Sequence, residues 1–332
     1  MSRPLHESRR RWLARGGALG LAGALAWSGA ARAAASASSA GASAASSDTP
    51  AAVPTRVATM NWELTETLLA LGVTPIGVSL PDWYRNAIVE PPLPQGVADI
   101  GLLYQPNFEV LLALKPDLLV ITPGHAPAIR TLQRIAPTIV LSQYMTSAQP
   151  YHDLCDETGK LAARVGRAPQ AQALIDEAAR TAESVHAQLA ARPALRRHPL
   201  VVADLADDRH LRVYGRGSLF DEMLATLGVR NAAHPRDGGP VWPTQTGYSL
   251  VPLQRLASVP DASVLLVGGL KPGQREGLAG NAIWQALPAV RERRVAALPV
   301  IAPYGGLVSM QRFAHAVDAA LTTIDAGGGG VA

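Results

Sequence analysis

Short runs of apolar, β-prone residues alternate with stretches of helical periodicity along the first half of the chain. Strands are predicted at 56–60, 75–78, 118–121 and 138–141, and helices at 64–71, 108–114 and 129–135. Asn107 is the expected N-cap of the helix at 108–114. Strands that alternate with helices predict a parallel sheet with helices on its faces.

A long helix follows this first set of β-α units. Residues 170–192 contain neither Gly nor Pro, Pro169 and Pro193 flank them, and apolar residues recur at helical spacing. This length corresponds to about six helical turns. The β-α pattern then returns, with strands at 200–203, 264–267 and 295–297 and helices at 219–227 and 306–324.

The predicted fold class is therefore α/β, with two Rossmann-like lobes of mainly parallel sheets joined by one long rigid α-helix. The ligand cleft is expected between the lobes. Because one stiff helix permits less movement than flexible linking strands, we expect the cleft to be largely pre-formed. The predicted segments are a first lobe at 53–168, a connecting helix at 169–193 and a second lobe at 194–332.

The first 33 residues have the pattern of a twin-arginine signal peptide. Arginines at 9–11 precede an apolar run at 18–27 and small residues that end at Ala33. This run is shorter than the roughly 20 residues that span a bilayer. Residues 34–52 are almost entirely Ala, Ser and Gly, which predicts a disordered tether. We therefore expect export by the twin-arginine pathway and a soluble protein in the periplasm.

Removal of this signal changes the charge of the protein. The whole chain has 30 basic and 26 acidic residues, of which residues 1–33 contain six and one, so 24 and 25 remain. A nearly neutral mature protein argues against a nucleic-acid partner. Cys155 is the only cysteine, so no intramolecular disulfide is expected.

Several local motifs point to one family. The most specific is Tyr84-Arg85 followed by Glu90-Pro91-Pro92-Leu93-Pro94, and others are Pro106-Asn107, Arg134-Ile135-Ala136-Pro137, Gly217-Ser218-Leu219-Phe220 and Tyr304-Gly305. Together they resemble the ferric hydroxamate-binding proteins of bacterial ABC importers, in the helical-backbone (class III) group of substrate-binding proteins. The resemblance implies a monomer without enzymatic activity or cofactor, which binds an Fe(III)-siderophore complex and delivers it to an inner-membrane ABC permease.

A ferric trihydroxamate presents oxygen atoms around an apolar cage, so its receptor needs a cationic donor and aromatic walls. With the resemblance, this assigns the ligand contacts to Arg85, Trp83, Tyr84, His125, Trp242 and Tyr304. His125 stands where the family has a tyrosine. The alternatives are a surface ion pair of Arg85 with Asp82, aromatic side chains that pack back on the core, and a solvated loop histidine.

The resemblance also implies transporter docking through one acidic residue on each lobe. Glu222 is the candidate in the second lobe, and a solvated helical glutamate is its alternative interpretation. The aligned position in the first lobe is Arg130, which departs from the family pattern.

Other functions remain open at this stage. A haem or cobalamin receptor would share the fold, and His125 or Tyr304 would be the axial ligand of haem. A periplasmic metalloenzyme would have to use His152, Cys155 and Asp156, a small ligand set whose spacing could meet a metal ion if the three lay on one helix. The sequence at 215–218 lacks the Gly-x-Ser-x-Gly motif of a hydrolase.

Overall fold

Ten strands form two five-stranded sheets in residues 53–330, which are the residues that the computed structural model describes. The predicted signal (1–33) and tether (34–52) lie outside these residues. The first sheet contains β1 (Val57–Thr59), β2 (Gly77–Val78), β3 (Ala98–Asp99), β4 (Leu118–Ile121) and β5 (Thr138–Val140). Its order is β3-β2-β1-β4-β5 and every pairing is parallel, as predicted.

Five helices surround this sheet: α1 (Trp62–Ala70), α2 (Pro81–Ala87), α3 (Phe108–Leu114), α4 (Ile129–Ile135) and α5 (Pro150–Arg164). Helix α3 begins where predicted, because the Asn107 side-chain oxygen accepts hydrogen bonds from the amides of Glu109 and Val110 at 3.1 Å. Neither α2 nor α5 was predicted. Each begins with a proline in its first turn, where the missing N–H costs nothing.

The second sheet is mixed, which corrects the prediction of a mainly parallel one. It contains β6 (Leu200–Leu205), β7 (His210–Tyr214), β8 (Tyr248–Pro252), β9 (Ser263–Leu266) and β10 (Val295–Ala297), in the order β10-β9-β6-β7-β8. Strands β6, β9 and β10 are parallel, but β7 runs antiparallel to both β6 and β8. The turn at 206–209 is too short for a parallel crossover. Asp207 closes it by accepting the amides of Arg209 and His210.

The remaining helices are α6 (Ala168–Ala190), α7 (Leu219–Thr226), α8 (Pro272–Gly280), α9 (Ala282–Ala286), α10 (Pro288–Arg291) and α11 (Leu307–Asp325). Helix α6 is the long helix expected from the sequence. Its Ala171 packs in the core of the first lobe, whereas Leu174, Val185 and Leu189 pack in the core of the second. The helix is therefore part of both cores rather than a spacer between them.

The second core also contains side chains from before α6. Tyr144 and Leu154 are buried together with Phe220 and Phe313, and the Phe220 and Phe313 rings stack at 4.2 Å. Movement between the lobes would therefore have to break a shared, close-packed core. Within 53–330, no helix has the length and apolar character that a membrane span requires.

Candidate functional site

The carboxyl ends of the first sheet's strands meet at one edge, where parallel α/β sheets usually bind ligands. Trp62 follows β1, and Trp83 and Arg85 lie on the short helix after β2. Tyr104 follows β3, and His125 follows β4. These side chains define the candidate site on the first lobe.

Trp83 is exposed at this surface, whereas the Arg85 side chain is 27% exposed. The Trp83 ring is 60% exposed and stacks on Trp62 at a centroid distance of 5.5 Å, with an angle of 7° between the rings. The Arg85 guanidinium donates to Asp82 at 2.8 Å and to the Pro94 carbonyl at 3.2 Å. Because Asp82 is highly exposed, its ion pair with Arg85 is screened by water and adds little stability.

His125 is buried rather than open to a ligand. It is 2% exposed, and its Nδ1 accepts a hydrogen bond from the Thr122 amide at 3.2 Å. An amide can only donate, so Nε2 carries the proton and donates it to the Leu103 carbonyl. Both ring nitrogens therefore have protein partners in this structure, and the role of His125 as a donor to a hydroxamate stays a prediction.

Tyr104 takes the exposed position above His125, and sequence reasoning missed it. Its ring is 61% exposed and lies 5.4 Å from the His125 ring. A Cβ on Gly124 would lie 2.5 Å from the tyrosine ring, so the absence of a side chain there allows this packing. The signal that would have found Trp62 is its place directly after the predicted strand β1; Tyr104 follows β3, which has two residues and gives no such signal.

Two more predicted wall residues are buried in the described structure. Tyr84 is fully buried, and its hydroxyl donates to the Pro91 carbonyl at 2.8 Å. Trp242 is 3% exposed and packs in the core beside the second sheet, with the Arg255 guanidinium 4.9 Å above its ring. Both rings thus fill the core, where apolar surface gains more than it does in water, and their roles as ligand walls stay predictions.

Tyr304 is the predicted site residue that remains partly exposed on the second lobe. It follows β10, and its hydroxyl donates to the Thr246 carbonyl at 2.9 Å. Burial raises the pKa of its phenol, so the group is a neutral donor at neutral pH. The chain then continues through Gly305 to contact Glu66 of α1, which places Tyr304 at the boundary between the lobes.

The candidate docking residue Glu222 is half-buried. Its carboxylate accepts a hydrogen bond from the Tyr151 amide at 2.6 Å, and burial raises its pKa. One of its two oxygens therefore already has a partner within the protein, and the docking role of Glu222 stays a prediction. Arg130 is exposed on α4.

Two other candidate sites lie apart from these residues. A surface cavity of about 660 Å³ lies between β10 and α11, and its lining includes Glu90, Arg312 and His315 but none of the predicted ligand contacts. On α5, ligand atoms of His152, Asp153 and Asp156 lie within 4.8 Å of one another. Cys155, the third residue of the metalloenzyme alternative, packs against the second core, and burial raises its pKa to about 11.

Comparison with known proteins identifies the family. The periplasmic binding protein family model matches residues 57–302. The chain is 31% identical over 271 residues to the iron(3+)-hydroxamate-binding protein FhuD of Escherichia coli, which covers 81% of this chain and 87% of that protein. It is 29% identical over 264 residues to the achromobactin-binding periplasmic protein of Dickeya dadantii, covering 73% and 78%.

A solved structure matches in both sequence and fold. The Fe3+-Desferal complex of the siderophore-binding protein FhuD from Vibrio cholerae superimposes with a TM-score of 0.73 and 26% identity, covering 81% of this chain and 98% of that one. These matches confirm the resemblance and the two-lobed α/β fold expected from the sequence. They also confirm the prediction of a binding protein rather than an enzyme: the chain belongs to the periplasmic binding protein family.

Proposed function

We propose that this chain is the receptor that captures ferric hydroxamate siderophores in the periplasm and delivers them to an ABC permease of the inner membrane. Two relatives that cover most of the chain are named for ferric hydroxamate or ferric siderophore binding. The twin-arginine pattern at 9–11 supports export to that compartment.

The main support for this proposal is that one cationic side chain and several exposed aromatic rings lie at a single edge of the first sheet. Arg85 lies two residues from Trp83 on α2, and Trp62 and Tyr104 extend the aromatic surface. A guanidinium donates to hydroxamate oxygens without losing its charge, and aromatic rings cover the apolar arms of a siderophore. Tyr304 adds a partly exposed aromatic ring from the second lobe, and its hydroxyl oxygen, whose proton is donated to the Thr246 carbonyl, can accept a hydrogen bond.

The haem alternative has less support. Of its two candidate axial ligands, His125 has both ring nitrogens occupied by protein groups. Axial coordination needs a free ring nitrogen, so His125 would have to leave its buried position first. Tyr304 alone would remain, with a phenol that stays protonated at neutral pH.

The test is isothermal titration of the purified protein with ferrioxamine B, ferrichrome, haemin and cobalamin. We expect saturable binding of a ferric hydroxamate and none of the other two. Arg85→Ala should weaken that binding about 10- to 100-fold, because a hydrogen bond to a charged group contributes about 1.5–3 kcal/mol.

Arg130→Ala is the matched control, since it removes an exposed arginine of the same lobe, on α4. Its affinity should equal that of the unmodified protein. Binding of haemin or cobalamin alone would overturn the ligand assignment while leaving the family assignment intact. Equal affinities in Arg85→Ala and Arg130→Ala would remove Arg85 from the site.

A further inference from the structure

The carboxylate of Glu66 crosses from the first lobe to the second. Glu66 lies on α1 and is fully buried. Its two oxygens accept hydrogen bonds from the backbone amide of Ser309 at 2.8 Å and from the Ser309 hydroxyl at 2.7 Å. Ser309 is the third residue of α11, whose N-cap, Gly306, has no side chain to cap the helix. Glu66 therefore caps the N-terminus of α11, although it belongs to the other lobe.

Two glycines before α11, Gly305 and Gly306, leave room for this carboxylate. A Cβ on Gly306 would lie 3.0 Å from one Glu66 oxygen, and a Cβ on Gly305 would lie 3.0 Å from the other and 2.3 Å from the Ser309 hydroxyl. A side chain at either position would crowd the Glu66 carboxylate, and one at Gly305 would also collide with Ser309. The partial positive charge of the helix N-terminus favours an anionic partner here.

Glu222 makes the reverse contact, from the second lobe to the first. It lies on α7, and its carboxylate accepts the amide of Tyr151 at 2.6 Å. Tyr151 is the second residue of α5, and the N-cap of that helix, Gln149, makes no side-chain capping bond. Each lobe thus supplies a glutamate that caps an otherwise uncapped helix of the other lobe.

A third polar contact joins the same two lobes. Arg312 of α11 donates to the carbonyl of Ile88 at 2.9 Å, just beyond the end of α2, and its Nε lies 3.5 Å from Glu90. Helix α2 carries Trp83 and Arg85. The contacts at α1, α5 and α2 therefore hold the candidate ligand surface of the first lobe at a set distance from Tyr304 of the second.

We propose that Glu66 and Glu222 are positioning residues that form a reciprocal interlobe clasp, in which each carboxylate caps a helix of the opposite lobe and so sets the opening of the cleft. Neither residue has to touch the ligand. The clasp extends the proposed function, because a ligand that contacts both lobes depends on their spacing. The clasp consists of protein groups alone, so it is tested separately from the siderophore assignment.

The experiment measures the distance between the lobes in the ligand-free protein by double electron–electron resonance. Spin labels are placed at Gln133→Cys on α4 and Ala257→Cys on the second lobe, both exposed positions, in a Cys155→Ser background that leaves no other cysteine. The unmodified clasp should give one narrow distance distribution. Glu66→Ala and Glu222→Ala should each broaden it and shift it to longer distances, and the double variant should broaden it most.

Glu63→Ala is the matched control. Glu63 lies one turn earlier on α1 and is also buried, but it bonds only to Thr67 and Ser142 of its own lobe. It should leave the distribution narrow, and Glu66→Gln, which keeps an acceptor for the Ser309 amide, should do the same. If the Glu66→Ala variant does not fold, the distance distribution of Glu222→Ala decides the test, because Glu222 is only half-buried and its loss is better tolerated. An unchanged distribution in Glu222→Ala, or equal broadening in Glu63→Ala and Glu66→Ala, would overturn the clasp.

Discussion

The buried carboxyl of Glu63 makes a specific prediction about stability and pH. Its pKa is raised from a usual 4.5 to about 8, mainly by burial; the nearby carboxylates of Glu157 and Glu66 act in the same direction, and the hydrogen bonds from Ser142 and Thr67 oppose it. Between pH 4.5 and 8 the folded protein therefore holds a proton that the unfolded chain releases. The free energy of unfolding must fall as pH rises through this window.

The magnitude follows from that proton. One proton changes the free energy of unfolding by at most about 1.4 kcal/mol per pH unit, so the whole window amounts to at most about 5 kcal/mol. Glu66, Glu157 and Glu222 also have raised pKa values, because each is buried, and they add to the slope in the same direction. The contribution of Glu63 is therefore measured as a difference between two slopes of unfolding free energy against pH, one for the protein with Glu63 and one for a variant without it.

Urea unfolding at pH 5, 6, 7 and 8 measures this difference when the unmodified protein is compared with Glu63→Gln. The glutamine is neutral at every pH and keeps an acceptor for the Ser142 hydroxyl. We expect stability to fall from pH 5 to pH 8 in both proteins, and less steeply in the variant. Parallel slopes would refute the reasoning, because they would mean that Glu63 is ionised in the folded state at pH 5.

Three further outcomes are expected. Phe220→Ala should lower the free energy of unfolding by about 3–5 kcal/mol in urea titrations, since it removes a fully buried ring; a loss below 1 kcal/mol would contradict that packing. Asn107→Ala should cost about 1 kcal/mol in the same assay by uncapping α3, with Asn107→Asp as a near-neutral control. Gly124→Ala should displace the exposed Tyr104 ring and weaken siderophore binding in calorimetry while leaving stability nearly unchanged; unaltered affinity would exclude Tyr104 from the site.

The sequence by itself determined most of the elements that build the two lobes. The apolar run Leu118–Ile121 is a buried strand, and α3 and α4 have the predicted bounds. Such features follow from interactions between residues a few positions apart, namely alternation, helical periodicity and capping. Short elements such as β3, with two residues, carry too little of any pattern to be predicted.

Membership in the family was also within reach of the sequence, because its motifs are local strings such as Tyr84-Arg85. Which of the motif's neighbouring side chains faces solvent was not. Trp83 and Tyr84 are consecutive on α2, yet one is exposed and the other is buried. Their orientation depends on what packs against α2, and one short turn of helix contains no periodicity that reveals it.

Contacts between residues that are far apart in the sequence were decided only by the tertiary structure. Glu66 and Ser309 are 243 residues apart, and Glu222 and Tyr151 are 71 apart. In sequence, Glu66 is one acidic residue in an amphipathic helix, and Glu222 is one near the start of another. Their roles arise because the folded core brings an uncapped helix N-terminus to each carboxylate, and packing over such separations leaves no trace in local sequence patterns.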